Sequence, residues 1–94
     1  MGALTKKRER LEVIFDILRI INYNHNSIKP TPLLRQSNLS SNSFVQYYEE
    51  LTQKGFVREV IDVKGSKYIS LTDKGFRYLE KYNLLLGFIE EFEL

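Results

Sequence analysis

The 94-residue sequence predicts one small α+β domain, mostly helical, in the order helix, helix, helix, β-hairpin, helix. Three observations carry this expectation. Apolar residues recur at spacings of three and four through most of the chain, which is the helical period. Residues 56–71 change to a β-branched, partly alternating pattern around Lys64-Gly65-Ser66. Capping residues stand where the periodic segments should begin and stop.

Residues 6–22 read as the first helix. Leu11, Ile14, Phe15, Leu18 and Ile21 form one apolar stripe, and Thr5 is the expected N-cap. Asn22, Asn24, His25, Asn26 and Ser27 are turn formers that stop it. Ile28-Lys29 is a very short strand or plain extended chain. Thr31-Pro32 reads as the start of a short second helix, with Thr as cap and Pro where its missing N–H is harmless. Leu33 and Leu34 belong to that helix, and Ser37-Asn38 ends it. Ser40 is the expected N-cap of a third helix with the stripe Phe44, Tyr47, Tyr48, Leu51. Lys54-Gly55 closes this helix through a left-handed glycine. Residues 56–63 and 67–71 are the two strands of the hairpin. Thr72-Asp73-Lys74-Gly75 opens the last helix, which holds Phe76, Tyr78, Leu79, Tyr82, Leu84, Leu85, Leu86, Phe88, Ile89 and Phe92.

Composition excludes several function classes. With no cysteine and one histidine, disulfides, thiolate zinc sites and a cysteine nucleophile are ruled out, and a transition-metal site nearly so. The five glycines are scattered at 2, 55, 65, 75 and 87, so no phosphate-cradling loop exists, and His25 sits in a polar turn. The expectation is a protein that is not an enzyme, needs no cofactor and has no small-molecule substrate. No apolar run is long enough for a bilayer, and the N-terminus lacks a secretory pattern, so no membrane partner and a cytoplasmic location are expected. Net charge is only +2, too little by itself to imply nucleic acid. Its placement is uneven: residues 1–35 hold seven cations against three carboxylates, and residues 82–94 hold only Glu90, Glu91 and Glu93.

Helix, short turn, helix, then a hairpin packed on the helices is the layout of a winged helix-turn-helix, with three helices, a two-stranded wing and a C-terminal helix. The detail agrees. Asn38-Leu39-Ser40, Phe44, Tyr47-Tyr48, Leu51, Gly55-Phe56-Val57, a hairpin, and Leu71-Thr72-Asp73-Lys74-Gly75 follow in order. This pattern resembles the small archaeal winged-helix DNA-binding proteins across about residues 6–86. The resemblance implies double-stranded DNA as partner and, in some members, dimers formed through a C-terminal helix. Residues 1–75 are accordingly read as the winged helix-turn-helix domain. Residues 76–94 are read as a C-terminal dimerisation helix packed on that same domain.

The third helix is the expected reader of DNA. Ser40, Ser41, Asn42, Ser43, Val45 and Gln46 lie at its start or off its apolar stripe, and Asn, Gln and Ser suit base edges in the major groove. Arg35 in the second helix joins this set. On the wing, Lys64 and Lys67 flank Gly65-Ser66 and suit phosphate or the minor groove, with Arg58 beside them. Each feature has an ordinary alternative: a plain polar helix face, or lysines that protect a hairpin edge. Glu49 and Glu50 weigh against DNA, because carboxylates repel phosphate. The basic run Lys6, Lys7, Arg8 and Arg10 is an arm toward the backbone or a frayed terminus. In the last helix Tyr78, Tyr82, Leu85, Ile89 and Phe92 repeat at four and three, a heptad seam for a second copy, while Phe76, Leu79 and Leu86 serve the core. The tail folding back over the first helix is the other possibility. The function expected is a homodimeric DNA-binding regulator or small chromatin protein; the alternative is a winged-helix protein-interaction module without DNA binding.

Overall fold

The computed structural model describes the backbone from Gly2 to Leu94 and the side chains from Glu9 onward. Helix α1 spans Gly2–Tyr23. Its apolar stripe buries Ile14, Phe15, Leu18 and Ile21 as expected, and Ile17 with them, while Leu11 stays 41% exposed. The helix begins upstream of the expected cap, so Thr5 lies inside it. Its end is set by asparagine chemistry. Asn24 donates its side-chain amide to the Ile20 carbonyl at 2.7 Å. His25 and Asn26 then take left-handed backbone at φ 62° and 57°, which continues no helix.

Helix α2 covers Pro30–Ser37, two residues ahead of the expected Thr31-Pro32 start. Pro30 occupies the first turn and removes one of the orphan N–H groups, so the cap position, Lys29, does without a side-chain bond. The sequence offers two prolines, and the first suffices. Asn38 ends α2 with φ 57°. Helix α3 covers Ser41–Gln53 under the expected cap: Ser40 Oγ accepts the Ser43 N–H at 3.2 Å. Phe44 and Leu51 are buried, and Tyr47 and Tyr48 are half-buried. Gly55 reverses the chain at φ +76°, a region open mainly to glycine.

Strands β1 (Val57–Ile61) and β2 (Lys67–Leu71) pair antiparallel, with Val57 opposite Leu71 and Ile61 opposite Lys67. The connection is wider than Lys64-Gly65-Ser66. Asp62 Oδ1 accepts the N–H groups of Lys64 and Ser66, both at 2.9 Å, and draws residues 62 and 63 into the turn. Ile28 adds one rung on the far side of β2, exchanging both backbone bonds with Ile69 at 3.2 and 2.7 Å. Helix α4 runs Asp73–Glu91 from a Thr72 cap. The core gathers along the C-terminal half of α1, where Leu18, Ile21, Leu33, Leu51 and Ile69 are fully enclosed. Each such side chain contributes about 1.5–3 kcal/mol by leaving water.

Helix α4 corrects the expected assignment of its faces. Tyr78 and Tyr82 pack against the chain's own core, with Gly75 and Leu79, which are buried. Tyr78 donates its hydroxyl to the Leu11 carbonyl at 2.7 Å. Tyr82 stacks on Phe15 with ring centroids 4.4 Å apart. Phe76 and Leu86, expected inside, are 39% and 40% exposed. The physical reason is the set 75, 78, 79, 82, which is itself an i, i+3, i+4, i+7 stripe and meets α1. A heptad count fixes spacing but not which side faces the core. Beyond Tyr82 the helix outruns the core and exposes Leu84, Leu85, Phe88 and Phe92. The expected division after residue 75 falls inside α4.

Candidate nucleic-acid interface

The position of α3 is fixed at both ends by short polar contacts. At its start, Ser40 caps the helix and its hydroxyl lies 3.1 Å from that of Ser43, so both serines are engaged locally. At its end, the Leu71–Gly75 segment clasps the turn that leaves the helix. Thr72 donates its hydroxyl to the Gly55 carbonyl at 2.5 Å and its N–H to the Phe56 carbonyl at 3.1 Å. The same hydroxyl oxygen accepts the Gly75 N–H at 3.2 Å. Lys74 donates to the Lys54 carbonyl at 2.7 Å, and its ammonium lies 4.7 Å from the Phe56 ring centroid. Gly75 has no side chain because none fits: a Cβ there would stand 2.3 Å from the Phe56 carbonyl oxygen.

The face of α3 turned from the core presents Ser41, Asn42, Val45, Gln46 and Glu49 to solvent. Arg35 is exposed in the last turn of α2 and lines a shallow cleft of about 420 Å³ with Thr31, Leu34, Asn38, Leu39, Ser40 and Ser41. The structure thus brings Arg35 to the start of α3. Thr31, which the sequence reading used only as a cap, lies exposed in the same cleft.

The two adjacent carboxylates of α3 have different fates. Glu50 receives both terminal nitrogens of the Arg10 guanidinium, one at 2.5 Å, and the Lys54 ammonium at 2.7 Å. These bonds, Arg10 first, hold its carboxyl down at about 2. Glu50 is therefore neutralised on the side facing α1, and Glu49 alone leaves a carboxylate on the open face. Arg10 is thereby assigned a structural role, while the side chains of Lys6, Lys7 and Arg8 lie outside the described residues. The signal for this pairing was weak in the sequence, since the partners are forty residues apart.

The wing does not present its cations as one patch. Successive strand residues face opposite sides. Glu59 and Lys67 lie on the side of the hairpin that also carries Val57, Ile69 and Leu71, whereas Arg58 lies on the other, opposite Ser70. Lys67 Nζ is 3.2 Å from Glu59, which also accepts the Tyr48 hydroxyl. The Tyr48 bond and then Lys67 lower the Glu59 carboxyl, while burial, then Glu59, raise the Tyr48 phenol. Lys64 stands at the tip beside fully exposed Val63 and makes no ion pair among the described residues. On the Arg58 side, Lys29 lies 5.7 Å from the Tyr68 ring centroid, a cation that the sequence reading did not single out.

A family model described as winged helix-turn-helix matches residues 7–89. The chain belongs to the winged helix-turn-helix family. Solved winged-helix structures share its fold at low identity. The DNA-binding protein Sso10a-2 from Sulfolobus solfataricus is 18% identical, with 88% of this chain and 83% of that one covered and a TM-score of 0.71. A MarR mutant from E. coli, in complex with operator DNA, is 17% identical over 92% of this chain and 73% of that one, with a TM-score of 0.67. A MarR-family transcriptional regulator from Silicibacter pomeroyi is 18% identical over 85% and 56%, with a TM-score of 0.65. No curated protein matches the chain. In winged-helix terms, α2 and α3 are the helix-turn-helix, the hairpin is the wing, and no helix among the described residues is long and apolar enough to cross a membrane.

Proposed function

We propose that this winged-helix protein binds double-stranded DNA without enzymatic activity, as a homodimeric transcriptional regulator or small chromatin protein of the archaeal type, in the cytoplasm. The observation that carries the reading is the open face of α3. Its exposed side chains are Ser41, Asn42, Val45, Gln46 and Glu49, and of the two adjacent carboxylates Glu50 is bound by Arg10 and Lys54, so that Glu49 is the one left to oppose phosphate. Asn42 and Gln46 are one turn apart and suit adenine edges; Arg35 and Lys64 suit flanking phosphates. The DNA named for Sso10a-2 and the operator in the MarR complex support the same partner. The exposed apolar end of α4 supports a second copy, which covers the same patch on both chains.

The test is binding to duplex DNA at several salt concentrations. The expected result is a linear fall of log affinity with log salt, from released counterions. Asn42→Ala with Gln46→Ala lowers the preference for a selected site and keeps the slope, because base edges and not phosphates are lost. Salt-independent or absent duplex binding refutes the reading and favours the protein-interaction module. Unchanged preference in the double variant removes α3 as the reader.

A further inference from the structure

The wing holds one lysine in check. Lys64 has no ion-pair partner among the described residues, while Lys67, on the next strand, is 3.2 Å from Glu59. That carboxylate does not swing freely with its partner, because the Tyr48 hydroxyl of α3 also binds it. Tyr48 in turn is seated by its ring, stacked on buried Phe44 with centroids 5.9 Å apart. Glu59 is therefore fixed from the recognition helix and presents its charge to Lys67. Both side chains of the pair stay partly in water, at 47% and 36% exposure, so the lysine lies within reach of an approaching phosphate but its charge is already answered.

We propose that Glu59 is a specificity-determining residue of the wing: anchored by Tyr48, it withholds Lys67 from the DNA backbone and so limits sequence-independent binding. The proposal rests on the DNA-binding reading. A phosphate contact carries no sequence information and strengthens binding to every duplex alike. Removing one such contact from the wing leaves base readout by α3 a larger share of the total. Tyr48 acts through Glu59 and is a positioning residue.

The full chain is titrated with a random-sequence duplex by fluorescence anisotropy across a salt series. Three variants are compared with the parent: Glu59→Gln, Glu59→Gln with Lys67→Ala, and Tyr48→Phe. Glu59→Gln keeps an acceptor for the Tyr48 hydroxyl and removes the charge that answers Lys67. It is expected to bind random duplex more tightly, with a salt slope steeper by about 0.9, one added phosphate contact. Adding Lys67→Ala returns the slope to the parent value. Tyr48→Phe removes the anchor but not the charge, and is expected to steepen the slope by less than Glu59→Gln does. A slope unchanged by Glu59→Gln overturns the proposal. So does a slope steepened equally by Tyr48→Phe, since a loosened wing and not a freed charge would then be the cause. A parent that binds no duplex refutes the DNA reading itself, and the proposal with it. A destabilised fold does not mimic the expected result, because loss of folded protein weakens binding.

Discussion

Gly75→Ala tests the clasp that seats α3. Alanine normally stabilises a helix by about 1 kcal/mol over glycine. Here the added Cβ meets the Phe56 carbonyl oxygen at 2.3 Å and Leu71 Cδ2 at 3.3 Å. An ordinary carbon–oxygen contact is about 3.3 Å, so backbone must part by about 1 Å. The oxygen that must move accepts the Thr72 N–H at 3.1 Å, and Thr72 caps α4. Strain of about 1–3 kcal/mol and one weakened hydrogen bond of about 1 kcal/mol outweigh the helix gain. The expected net loss is about 2 kcal/mol, near 10 °C in Tm for a domain of this size. Gly87→Ala in the same helix is the control, because nothing lies within 4 Å of its Cβ; it gains up to about 1 kcal/mol. Urea unfolding followed by circular dichroism, at one fixed protein concentration, compares the pair. Gly75→Ala as stable as the parent refutes the clasp.

Two further outcomes follow from side chains already placed. Glu50 is held at about 2 against an ordinary 4.5, so its pairing stabilises the fold above pH 4.5 and is lost as pH falls from there toward 2. In its partly wetted setting this is worth about 1 kcal/mol, and Glu50→Gln flattens the fall of Tm between about pH 5 and about pH 2; a curve parallel to the parent's refutes the pairing. Leu85→Glu with Ile89→Glu places like charges in the exposed end of α4 and converts a parent dimer to monomers by light scattering; a parent already monomeric at micromolar concentration refutes the dimer.

The order of elements was legible because each boundary is a local event. Ser40 and Thr72 cap helices wherever they precede a periodic run, and Gly55 and Asn38 end them through left-handed backbone. What resisted reading was phase and distant pairing. Tyr78 and Tyr82 satisfy a heptad and a core stripe equally well, and only α1, sixty-seven residues from Tyr78 at Leu11, decides between them. Arg10 with Glu50 and Tyr48 with Glu59 join elements that no local pattern links. The site divides likewise: the polar run after Ser40 was legible as a solvent face, whereas the pairing of Lys67 depends on hairpin register and on the side of the sheet that α3 covers.

The single rung made by Ile28 protects the wing unequally. It closes the outer edge of β2, but the outer edge of β1 meets no strand among the described residues, and Val60 and Ile61 stand exposed beside it. A bare edge with β-branched side chains is a template for strand addition between molecules. Arg58 and Glu59 are the charges set along that strand, and mutual repulsion between like charges on stacked wings opposes such growth. In acidified solution, where the carboxylate share of that repulsion fades, β1 is the segment from which intermolecular sheet would spread, and a lysine placed at Val60 would guard it.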